Sequence, residues 1–344
     1  MLNTAGGGGL AFRKNLSASS ANESPAMNQF SCVERFHLVA CLFAAGLSLA
    51  SHSADAELIA LEMVTVGDPG NEATTGYGGV ATSYKIMKYE FTNADYVTFL
   101  NASDPTGANT YGTYNAAMGS DARGGISYTS GNANGTKYAV RSNMGDKPVN
   151  FVSWFDGARV SNWMTNGQGV GSTETGSYTL VDGQTPGIAP AANANALFYI
   201  PTEDQWYKAA YYKGGGLNAG YWNYATQSDL TPATVTSGST GIGSAGSTGN
   251  SANYSNGADW NAQDGNVTTV GTNGGASFYG AFDMSGNVFE WNDFDNTPGS
   301  TRGLRGGLPC SDALGLSSSF RSALDPSNEG SGIGFRLASL VAVP

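Results

Sequence analysis

The sequence predicts an α+β domain with long loops. Three helix starts carry capping residues, short strand-like runs lead into them, and the stretches between are dense in Gly, Asn, Ser and Thr. Gly accounts for 49 of 344 residues, yet 17 Tyr, 15 Phe and 6 Trp supply the burial that a disordered chain lacks. Loops this long in an ordered domain usually serve a function.

Taken in order, residues 57–66 alternate weakly and read as a strand, and Tyr84–Glu90 reads as a better one. Thr92-Asn93-Ala94-Asp95 then resembles a capping box, with Tyr96, Phe99 and Leu100 on one helix face. Residues 101–147 are loop-like, and Pro148–Val152 is a short extended piece. Ser153-Trp154-Phe155-Asp156 opens a second helix through Ala158, Val160, Trp163 and Met164, which Asn166-Gly167 ends. A second loop covers 167–195. Leu197–Ile200 reads as a strand, and Thr202 caps a third helix with Glu203 and Asp204 in its first turn and Gln205 at the box position. That helix is expected to run to Lys213 and to stop at Gly214-Gly215-Gly216. Beyond it lie short apolar pieces, Phe278–Met284 and Val288–Trp291, and one closing strand, Gly334–Ser339.

Residues 1–56 read as a leader. An apolar run over 38–50 follows Arg35, and Ala54-Asp55-Ala56 has the small-x-small pattern of a signal peptidase site, with cleavage before Glu57. The run is shorter than the roughly 20 apolar residues of a spanning helix. Leu38-Val39-Ala40-Cys41 resembles a lipoprotein box, but most of the apolar run follows that cysteine. The expected product is an exported protein, periplasmic, at the cell surface or secreted, with a domain over 57–341 and a tail over 342–344. The closing Ala342-Val343-Pro344 resembles the start of a membrane-sorting tail of exported bacterial proteins.

The leader holds both histidines, His37 and His52, and two of three cysteines, Cys32 and Cys41, so the domain keeps Cys310 alone and cannot form an internal disulfide. The leader takes three acids and three bases, leaving the net charge at −11. That acidity, without a basic cluster, excludes nucleic acid and anionic membrane as partners. Lack of histidine excludes a Ser-His-Asp triad, a Cys-His pair and the usual zinc sites.

Six segments in order carry a resemblance. They are Tyr84–Asn93, Pro148–Trp154, Ile200–Trp206, Tyr279–Trp291, Arg305-Gly306-Gly307 and Gly334-Phe335-Arg336. Together they are similar to the formylglycine-generating enzyme family, the sulfatase-modifying factor domain, over about residues 57–340. The resemblance implies that family's variant of the C-type-lectin-like fold, low in regular secondary structure. It also implies two calcium sites. Asn253 and Asp264 would offer side-chain oxygens to the first, and Tyr254 and Asn266 backbone carbonyls. Asp283 and Glu290 would offer carboxylates to the second, and Gly286 and Val288 carbonyls. Calcium accepts such oxygen-rich sets.

In the family, two cysteines after the Gly-Gly pair bind Cu(I) and oxidise a substrate cysteine to formylglycine. Cys310 lies one residue closer to the Gly pair than the first of them, and the second has no counterpart. Leu308 stands at the family's active-site serine and Phe289 at a tryptophan. The resemblance therefore implies calcium but an incomplete copper site. Cys310 is the candidate catalytic residue, for which Arg305 and Arg321 are the cations available to lower its pKa. Two functions follow: an exported binding protein for an extracellular protein or polysaccharide, or a formylglycine-generating oxidase acting on a cysteine of a sulfatase or other protein.

Overall fold

The structure, a computed structural model, describes residues 58–181 and 187–341. The leader, the expected cleavage point and the tail over 342–344 lie outside these residues. Four helices occur among the described residues: α1 Asn93–Ser103, α2 Ala117–Ser120, α3 Trp154–Thr165 and α4 Glu203–Tyr211. The three expected caps are present. Thr92 accepts from Asp95 N, and Ser153–Asp156 and Thr202–Gln205 form reciprocal boxes. Helix α4 ends two residues before Lys213 because Tyr212 is extended and Lys213 N pairs with Gly220 O.

Two four-stranded sheets frame the domain. In the first, Met63–Val66, Tyr84–Met87, Ala338–Leu340 and Phe198–Tyr199 lie in that order, all antiparallel. In the second, Ser322–Leu324, Arg302–Arg305, Phe289–Asn292 and Ile333–Gly334 lie in order, the last pairing parallel. The first strand is shorter than expected, because the Gln168 amide takes both backbone groups of Ile59. Phe278–Met284 forms no strand; Gly280 N and Ala281 N both turn back onto Ser277.

The expected closing strand is in fact two, placed in different sheets. Ile333–Gly334 pairs with Phe289–Glu290, and Ala338–Leu340 pairs with Tyr84–Ile86 and Phe198–Tyr199. Between them Phe335, Arg336 and Leu337 are fully buried. Arg336 needs a carboxylate and several carbonyls there, which a continuous strand would not bring to it.

Helices α1 and α3 pack into one core with Phe91, Phe99, Trp154, Trp163, Trp291 and Phe335. Helix α4 packs into another through Trp206, Tyr207 and Tyr211 against Tyr84, Ile86 and Met284.

The start of α3 carries a titratable contact. Asp156 Oδ2 closes the capping box on Ser153, while its buried Oδ1 has no hydrogen-bond partner. Glu329 lies on the loop that supplies Pro326 O to Trp154 N and Gly330 O to Phe151 N, and it accepts from Asn115 Nδ2. Burial pushes Asp156 up to about 6; burial and the Asp156 charge push Glu329 up to about 7. Both acids bind protons more tightly folded than unfolded. Their contribution is therefore complete at acid pH and is lost as pH rises through about 6 to 7. Glu329→Gln should flatten the fall in the urea midpoint between about pH 4 and 7; an unchanged slope would show that the pair does not set it.

Candidate functional site

The segment after the second sheet's inner strand holds Cys310. Gly306 and Gly307 have φ of +100° and +89°, and a Cβ on Gly307 would lie 2.8 Å from Leu316 Cδ1. Both positions need glycine, which sends the chain into a tight turn. Ser311 N donates to Leu308 O at 2.9 Å, and Asn256 N and Ser255 N donate to Pro309 O and Ser311 O. Cys310 is exposed on this turn.

The two cations expected beside the thiol are committed elsewhere. Arg305 Nε donates to Glu203 Oε1 at 2.8 Å, and its Nη1 donates to Ser318 O and Phe320 O. Its guanidinium lies over Tyr77 and Tyr207, 4.8 and 4.9 Å from the ring centres. Arg321 Nε donates to both oxygens of the same Glu203 carboxylate. Leu308 packs against Gly332, and Phe289 stacks on Phe320. Family copper binding needs two thiolates, and the described residues supply only Cys310. The residues present do not fit copper.

A second constellation lies buried behind this segment. Asp283, Gly286 and Asn287 all have positive φ, and a Cβ on Gly286 would lie 2.4 Å from Asn253 O. This left-handed turn leads into Glu290. Arg336 grips Glu290 with Nε at 2.6 Å and Nη2 at 2.7 Å, and Trp206 Nε1 adds a third bond at 2.7 Å. Asp283 accepts from Gly271 N and Asn273 Nδ2. Glu90, which was not expected here, joins through Asn287 Nδ2 at 2.7 Å, and its other oxygen is buried without a partner. Burial and then the charges of Asp283 and Glu290 push the Glu90 carboxyl well above the usual range; burial raises Asp283.

The expected calcium donors divide. Asn266 and Asn253 meet, but through Asn253 Nδ2 donating to Asn266 O at 2.9 Å. The Tyr254 hydroxyl donates to Pro232 O. The Asp264 residue is exposed, and the Arg123 guanidinium already takes the carbonyls of Asp264 and Gly265 at 2.9 Å each. Of the donors expected for the first set, the Asn266 carbonyl is thus taken by the Asn253 amide, and the Asp264 side chain faces solvent. Asn253 instead joins the second set: its carbonyl accepts from Asn287 N at 3.0 Å, and its Oδ1 is buried and unpartnered.

The second set is buried and acidic, but its two carboxylates already accept hydrogen bonds within the protein. Asp283, Gly286, Val288 and Glu290 are brought together in a buried region where Glu90, Asp283 and Glu290 face the single guanidinium of Arg336. Among the described residues no three Asp, Glu, His or Cys side chains converge as a metal site.

Residues 63–341 match the family of the sulfatase-modifying factor enzyme 1-like domain. Among solved structures, Treponema denticola variable protein 1 is similar at 18% identity, covering 81% of this chain and 94% of its own, with a TM-score of 0.45. CarF is similar at 20%, covering 83% and 100%, with a TM-score of 0.47. PvdO from Pseudomonas aeruginosa is similar at 16%, covering 82% and 93%, with a TM-score of 0.41. No curated protein matches the chain. The α+β architecture with little regular structure agrees with the family match, and the chain belongs to the sulfatase-modifying factor, or formylglycine-generating enzyme, family.

Proposed function

We propose that this chain is an exported, calcium-stabilised member of the family that acts by binding an extracellular protein or polysaccharide. Cys310 carries the reading: one exposed thiol stands where a copper pair is needed, and Arg305 and Arg321 are both held on Glu203. Among the described residues Cys310 thus lacks a partner thiol. The leader's apolar run and cleavage pattern support export. No helix among the described residues is long and apolar enough to cross a membrane. Asp283, Gly286, Val288 and Glu290 would hold calcium, whose charge would offset the excess of buried carboxylates.

Metal titration tests both parts. Anaerobic Cu(I) competition should show no tight stoichiometric binding; one-to-one binding abolished by Cys310→Ser would overturn the non-catalytic reading. Removing calcium with EDTA should lower the Tm by about 5–10 °C, and calcium should restore it. An unchanged Tm would remove the calcium part alone.

A further inference from the structure

The long loops that follow α1 and α3 are not used by either constellation above, yet both are tightly fixed. Asp104 accepts from Ala108 N and Asn109 N at 3.0 Å each and from the Tyr138 hydroxyl. Asn109 pairs with both backbone groups of Tyr114. On the other loop, Asn162 Nδ2 holds Thr173 O at 2.7 Å, and Asn166 Nδ2 holds Ser172 O and Thr175 O. Arg159, fully buried in α3, grips Glu174 through Nε at 2.8 Å and Nη2 at 3.2 Å.

The two loops border a pair of adjoining cavities of about 360 and 60 Å³, which share Ser103, Tyr111 and Thr173. The larger lies within the usual range of roughly 300–1,000 Å³ for small-molecule sites. Tyr111 lines both, and the Arg159 guanidinium lies 5.2 Å from its ring centre. Thr110, Thr113 and Ser172 also line them, the Ser172 hydroxyl accepting from Glu174 N and Thr175 N with its own proton left to donate, and fully exposed Val170 forms an apolar lip.

We propose that this groove is a binding site for a neutral saccharide, with Tyr111 as its stacking platform. The proposal rests on the binding role given above and assigns that role a place. No lysine or arginine lines either cavity, and the two lining carboxylates, Asp104 and Glu174, are engaged within the protein. The groove therefore offers an anion no positive charge. Hydroxyls around an aromatic ring instead match the alternating C–H and O–H surface of a sugar. Loops fixed before binding lose little entropy on complex formation, so shallow contact suffices for measurable affinity.

Isothermal titration of the purified protein with maltopentaose, cellopentaose, xylopentaose and tri-N-acetylchitotriose tests this, with tetraguluronate as the anionic control. At least one neutral probe should bind with a Kd of about 1 mM or tighter. Tyr111→Ala should weaken it about ten-fold or more. Val170→Trp, at a fully exposed position, should weaken it by filling the groove without altering the Tm, so the test survives if the tyrosine variant misfolds. Cys310→Ser should bind as the wild type does. Binding of none of the neutral probes, preference for the anion, or full binding by both groove variants would overturn the proposal. None of these results touches the copper titration, which decides the non-catalytic reading separately.

Discussion

Arg336→Met is expected to cost about 3–5 kcal/mol of folding stability, measured by urea unfolding in EDTA. Arg336 is fully buried, and its guanidinium makes two bonds to Glu290 at 2.6 and 2.7 Å. It also donates to Met87 O at 3.0 Å and to Phe282 O at 2.8 Å, so it ties both sheets to the turn before Asp283. Removing it leaves Glu90, Asp283 and Glu290 in low dielectric with no cation among them. An unpaired buried charge costs far more than an exposed pair contributes. Methionine keeps much of the apolar volume, so the loss reports on charge and hydrogen bonding. A loss under about 1 kcal/mol would mean that the carboxylates take up protons instead.

The second large effect is expected at Glu203. Glu203→Ala should cost about 3 kcal/mol or more, because it strands Arg305, whose side chain is 1% exposed. Arg321 shares the same carboxylate but is 39% exposed. Water screens it, and Arg321→Ala should cost under about 1 kcal/mol. Burial therefore separates two arginines that the same carboxylate joins. Comparable losses in the two variants would contradict this division. Arg305 lies five residues before Cys310 and fixes the strand from which the turn departs. Glu203→Ala is thus expected to loosen the 306–311 turn as well, read as faster alkylation of Cys310.

Local signals were legible where one residue bonds to a near neighbour. Thr92, Ser153 and Thr202 cap their helices as their spacing predicts, since a cap is satisfied within four residues. The apolar spacing of Tyr96, Phe99 and Leu100 likewise marks the buried face of α1. The closing segment was not legible in the same way. Gly334–Ser339 has the composition of one strand, but the long-range demand of Arg336 for Glu290 breaks it in two. Glu90 reads as the polar end of a strand. Only the approach of Asn287, 197 residues later, puts it among the buried carboxylates.

Residue identity and order were enough for the family, the α+β class, the three capped helices and the lack of a second thiol near Cys310. These depend on residue identity and short spacing. Which charges meet depends on the folded chain. It placed Arg123 on the carbonyls of Asp264 and Gly265, Arg305 and Arg321 on Glu203, and Tyr111 against Arg159 between two distant loops. For Arg305 and Arg159, which are buried, the placement follows from the cost of burying a charge without a partner. The partner is found in space after the chain has folded, and sequence distance carries little information about it.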